Sequence, residues 1–105
     1  MNSGRSDPRK EMPLRFAQPK YYRLLLEVME ASHLHPFDIK SSVVMNGKQN
    51  LTIFLRYGEG FKRMKSISFS PDPINRISDE LAAFFREAAE DCRNMLVEDF
   101  YNRLK

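Results

Sequence analysis

Between residues 73 and 104 an apolar side chain recurs every three or four positions, and neither Gly nor Pro follows Pro73. Ile77, Leu81, Phe84, Ala88, Cys92 and Leu96 fall on one side, with Phe85, Ala89, Phe100 and Leu104 flanking them. That spacing predicts one long amphipathic helix. A shorter stripe of the same period, Tyr21, Leu24, Leu25, Val28 and Met29, predicts a first helix beginning near Pro19. Proline suits a first helical turn because its missing N–H has no partner to lose there. The helix is expected to end by His35, since Pro36 disfavours helical geometry in the residue before it.

The period changes to two in the middle of the chain. Residues 51–57 alternate, with Leu51, Ile53, Leu55 and Tyr57 on one face and Thr52, Phe54 and Arg56 on the other. This is the pattern of a half-buried strand. Residues 39–45, with Val43, Val44 and Met45, predict a strand before it, and residues 61–69 a strand after it. Asn46-Gly47 and Gly58-Glu59-Gly60 supply the turns. On the third strand Arg63 and Lys65 share parity with the core residues Ile67 and Phe69. They are therefore expected beyond the helix cover, or re-aimed by a bulge. Ser70-Pro71-Asp72-Pro73 ends the ladder, and either Asp72 or Ser78 can cap the long helix.

The order α-β-β-β-α gives an α+β fold. A three-stranded antiparallel meander forms one layer of a two-layer sandwich, with both helices on one face and the other face open. Residues 18–105 are expected to make this single domain. Residues 1–17, interrupted by Gly4, Pro8 and Pro13, are expected to be a flexible basic arm that Leu14 and Phe16 tack onto the core.

Composition adds little to the fold but narrows the function. With 42% hydrophobic and 30% charged residues, the chain reads as a folded soluble domain. No run of 18 apolar residues predicts a membrane span, and no secretory signal is visible, so a cytoplasmic setting is expected. The single cysteine, Cys92, lies on the apolar stripe and reads as a small buried thiol. The net charge of +3 is divided unevenly. Residues 39–71 carry six basic side chains and one acidic one, whereas residues 72–105 carry five and eight.

Candidate chemistry is sparse. There is no Gly-rich phosphate loop, no nucleophile motif and no two-cysteine metal pair, so no cofactor, metal or small-molecule substrate is expected and the chain reads as a non-enzyme. His33 and His35 lack an evident third ligand. Glu87, Glu90 and Asp91 read as the solvated face of the long helix. Two surfaces remain. The end of the long helix, with Met95, Leu96, Phe100, Tyr101 and Leu104, is too long for a short sheet to cover and predicts either a protein interface, with a homodimer as one form of it, or packing within the chain on Tyr21, Tyr22, Leu25 and Phe16. The alternative is nucleic acid on the open sheet face, with Lys40, Arg56 and Lys62 reaching phosphates around Phe54 as a stacking platform. Lys48, Arg63 and Lys65 would add charge at the turns. Double-stranded-RNA-binding domains share the α-β-β-β-α order, but their second helix begins with basic residues, and here that place reads Ser78-Asp79-Glu80. No family assignment follows, and a binding or regulatory module is the expected class.

Overall fold

The computed structural model describes residues 11–46, 50–70 and 79–104. Residues 1–10, the turn that holds Gly47 and Lys48, and the linker with both expected helix caps lie outside them. The fold is α+β, as the period changes predict. Its elements are β1 (Met12–Pro13), α1 (Leu14–Ala17), α2 (Pro19–Ala31), β2 (Ile39–Asn46), β3 (Asn50–Tyr57), β4 (Arg63–Phe69) and α3 (Asp79–Arg103). The sheet is antiparallel in the order β1-β2-β3-β4.

The sheet therefore has four strands and not three. The extra one is a two-residue stub from the expected arm, with Met12 opposite Val43 and Pro13 opposite Ser42. Immediately after it α1 carries Leu14 into the core, where it is fully buried. Residues 12–14, within the expected arm, thus pack with the sheet and the core. Phe16, the other expected tack, is exposed.

Register follows parity. Ile53 on β3 lies between Val43 and Ile67, and Leu51 lies between Met45 and Phe69. Leu51, Ile53, Leu55 and Tyr57 are all fully buried, so the alternating strand forms the floor of the core. Above it, α2 contributes Tyr21, Leu25 and Met29, spaced by four. From α3 come Leu81, Phe85, Ala88, Ala89 and Cys92. Leu24, Val28, Phe84, Ile67 and Phe69 pack only at its margin. Phe84 and Phe85 both fit the helical period, but only Phe85 points inward. At the far end of the sheet the Tyr21 and Phe69 rings meet edge to face, 5.7 Å between centroids, tying α2 to β4.

Two turns set the limits of these elements. At the end of α2, His33 adopts φ 62°, and the Leu34 N–H reaches back to the Met29 carbonyl at 2.8 Å. This left-handed closure ends the helix at Ala31, earlier than Pro36 requires, and Leu34 turns back into the core. Between β3 and β4, Gly58 (φ 83°) and Gly60 (φ 67°) take backbone angles that disfavour any side chain. A Cβ on Gly58 would also stand 2.6 Å from Cε of Met95, so the glycine lets α3 approach the turn. Phe61 (φ 54°) closes a short 3-10 turn here, and β4 starts at Arg63, two residues later than expected.

Candidate functional site

The basic residues of the middle segment do not form one open platform. Arg63 and Lys65 lie opposite Tyr57 and Leu55 in an unbroken register, so no bulge re-aims them. They keep their core-side parity at the sheet edge and meet the acidic flank of α3. Arg63 Nη1 lies 3.7 Å from Asp91 Oδ2, and Lys65 Nζ 3.8 Å from Glu87 Oε1. The expectation that they stand beyond the helix cover is thus corrected. Such half-exposed pairs contribute little to stability, but they neutralise each other's fields. Charges directed to the covered side of an edge strand also discourage pairing with other chains.

Asp91 has a second task. It accepts a 2.7 Å hydrogen bond from the hydroxyl of Tyr57, whose residue is otherwise fully covered. Burial pushes the Tyr57 hydroxyl well above its usual pKa, and the Asp91 carboxylate adds to this. So Asp91 belongs to a polar strut between sheet and helix and not to a solvated face. Cys92, beside it, has its thiol aimed at the Asp38 carbonyl at 3.9 Å. Burial raises its pKa to about 11, with Asp38 and Asp91 adding. Native Cys92 is therefore expected to resist iodoacetamide at neutral pH and to react once the chain is unfolded in urea. Mass spectrometry of the two samples checks this, and fast native labelling would mean that α3 opens locally.

On the other face of the sheet, Arg56 is also engaged. Its guanidinium forms an ion pair with Glu11 at 2.5 Å, donates to Ser42 Oγ at 3.2 Å and lies 5.4 Å from the centre of the Phe54 ring. Ser42 in turn donates to Glu11. The Arg56 hydrogen bond, then Ser42, hold the Glu11 carboxyl below its ordinary pKa. Thr52, also on this face, is buried and shares a 2.8 Å hydrogen bond with Ser68. Lys40 leans over the Phe61 ring at 5.8 Å, and Lys62 is exposed with no ion pair among the described residues. Of the expected cationic platform, Arg56, Arg63 and Lys65 therefore face carboxylates, and Lys48 lies outside the described residues.

His33 and His35 serve the chain's own geometry. His33 supplies the left-handed residue after α2, and the His35 imidazole Nδ1 accepts from the Phe37 N–H at 3.2 Å. Asp38 closes the same turn by accepting the His35 N–H at 2.7 Å. No group of three potential metal ligands converges among the described residues.

The end of α3 exposes five apolar side chains. Phe100 and Tyr101 are 61% exposed and Leu104 66%, with Leu96 and Val97 close to half. Met95, expected in this patch, instead packs at the core margin by Gly58. The cause of the exposure is the shortness of α2. At 100° per residue, Val97, Phe100, Tyr101 and Leu104 lie on the side of α3 that carries Arg86, Glu90 and Arg93 earlier in the helix, and Leu96 lies at the edge between this side and the core stripe. Those three residues share a groove with Glu27, Val28 and Ala31 of α2. But α2 has 13 residues and α3 has 25, about 20 Å against about 37 Å. Beyond Ala31, among the described residues, His33 and Leu34 border an open hollow on this flank with Phe100 and Tyr101.

The structure thus defines a small α+β domain with a single-sided sheet and an apolar helix overhang. No protein family, curated protein or solved structure matches the chain. Among the described residues no helix is long and apolar enough to cross a membrane.

Proposed function

We propose that the protein is a small non-catalytic binding module that acts through protein–protein contacts, using the overhanging end of α3, and that its simplest partner is a second copy of itself. One observation carries this reading: five large apolar side chains follow one flank of α3 past the end of the helix that covers that flank upstream. An apolar strip of this width is costly to leave in water and is matched best by another helix. A two-fold axis through the strip would set the same apolar side chains of two copies against one another. Nucleic acid on the sheet face has weaker support, because Arg56, Arg63 and Lys65 lie against Glu11, Asp91 and Glu87, which leaves Lys40 and Lys62 of the described cations to reach phosphate. A buried, unpaired cysteine suits a reducing compartment such as the cytoplasm.

Phe100→Asp tests the reading, since it puts a charge in the middle of the strip without touching the core. Sedimentation velocity is expected to show wild-type dimer and variant monomer, with only the wild type melting at a temperature that rises with protein concentration. A wild-type chain that stays monomeric at high concentration would remove the self-association, and equal masses for both chains would place the contact elsewhere.

A further inference from the structure

A second surface, sharing no residue with the α3 hollow, runs along the outer edge of β2. β3 pairs with all eight residues of β2, but β1 covers only Ser42 and Val43. After Pro13 the chain leaves the sheet for α1, so among the described residues the edge at Ile39, Lys40 and Ser41 has no strand beside it. A cleft of about 620 Å³ follows that edge, walled on the far side by the exposed rings of Phe37 and Phe61. That volume is in the range of sites that hold a small ligand or a few residues of peptide.

The cleft already contains a carboxylate seat. Glu11 occupies it, held by the guanidinium of Arg56 and the hydroxyl of Ser42, with Arg15 and Lys40 also lining the walls. Glu11 is the one carboxylate among the described lining residues, against three cations. The strand that brings it there is a weak occupant: it is two residues long, and Pro13 has no N–H to give to the ladder.

We infer that this cleft is a docking site for a short extended peptide bearing a carboxylate side chain, and that Glu11 with Met12 and Pro13 stands in for that peptide. The partner adds as an antiparallel strand along Ile39–Ser41 and beyond, its main chain meeting the open edge and its carboxylate taking the seat on Arg56 and Ser42. Main-chain pairing supplies affinity, the guanidinium supplies the preference for acid, and the rings of Phe37 and Phe61 receive flanking apolar side chains. The arm then acts as a tethered competitor that any partner must displace.

The test uses the full chain and a fluorescein-labelled acetyl-Val-Glu-Val-Glu-Val-amide, followed by polarisation. Releasing the seat with Glu11→Ala is expected to tighten binding about tenfold over wild type, the factor that about 1.4 kcal/mol brings. Adding Arg56→Met to that variant is expected to abolish the gain, and the same peptide with Gln for Glu is expected to bind about tenfold more weakly. If Glu11→Ala lowers the melting temperature, Glu11→Gln replaces it, because it keeps the side-chain volume while losing the charge. Equal affinity of wild type and both Glu11 variants would overturn the proposal, as would equal binding of the Glu and Gln peptides. Free glutarate competing as well as the peptide would show that the strand edge is not used. Displacement by oligothymidylate at the peptide's own affinity would assign the seat to phosphate. Either result rules out the peptide.

Discussion

Leu14→Ala is expected to cost about 2–5 kcal/mol of folding stability, the range for emptying a buried leucine site. Leu14 is fully buried and belongs to the same cluster as Leu25 and Tyr57, although it lies in a stretch whose sequence reads as an arm. Its neighbour Phe16 is 67% exposed, so Phe16→Ala is expected to change stability by no more than about 0.5 kcal/mol. Urea denaturation of the two variants separates them: a shifted midpoint for Leu14→Ala alone places residues 11–17 inside the cooperative unit. Equal midpoints would mean that β1 and α1 open without the rest, and that the Glu11 contact is a loose one.

The polar strut is the second sensitive place. Asp91→Ala leaves the covered Tyr57 hydroxyl without its acceptor and Arg63 without its carboxylate. An unsatisfied buried donor costs about 1–3 kcal/mol, so the variant is expected to lose about that much. Tyr57→Phe removes the donor instead and is expected to cost about 1 kcal/mol. The double variant is expected to cost less than the sum, because the second change removes what the first leaves stranded. The strut also has a pH signature. The folded state holds the Tyr57 proton above the usual tyrosine pKa of about 10. Its contribution is therefore complete below the unfolded pKa and declines as pH rises past it toward the folded value. Tyr57→Phe is expected to lack that share of the alkaline loss, which melting curves across the alkaline range would reveal.

What the sequence could and could not convey follows from the length over which each feature repeats. β3 was legible because four alternations in eight residues leave one register that buries Leu51, Ile53, Leu55 and Tyr57. β1 is not, because two residues, one of them proline, have no period; Leu14 and Phe16 mark an anchor nearby, and the sequence does not say which of them is buried. Parity on β4 correctly put Arg63 and Lys65 on the covered side, but it says nothing about where a helix lies laterally above a sheet. That offset brings Glu87 and Asp91 against them, so a conflict in the pattern turned out to be a pair of ion contacts. The Glu11–Arg56 pair joins residues 45 apart in sequence and was beyond any local signal. Phe84 and Phe85 differ by 100° around α3, and the helix's rotation, not its period, decides which one is buried. The helix overhang was visible as surplus length. The sequence points to the short sheet as its cause, and the structure adds the early end of α2 at the His33 turn.

Self-association depends on what covers the last turns of α3. Amide hydrogen exchange across residues 96–104, followed by mass spectrometry over a wide range of protein concentration, addresses this directly. Protection there is expected to rise with concentration, in step with the mass from sedimentation, while β3 exchanges slowly throughout. Exchange in these turns that stays fast and independent of concentration, in a chain that remains monomeric, would contradict the claim that the overhang is a surface for a second copy.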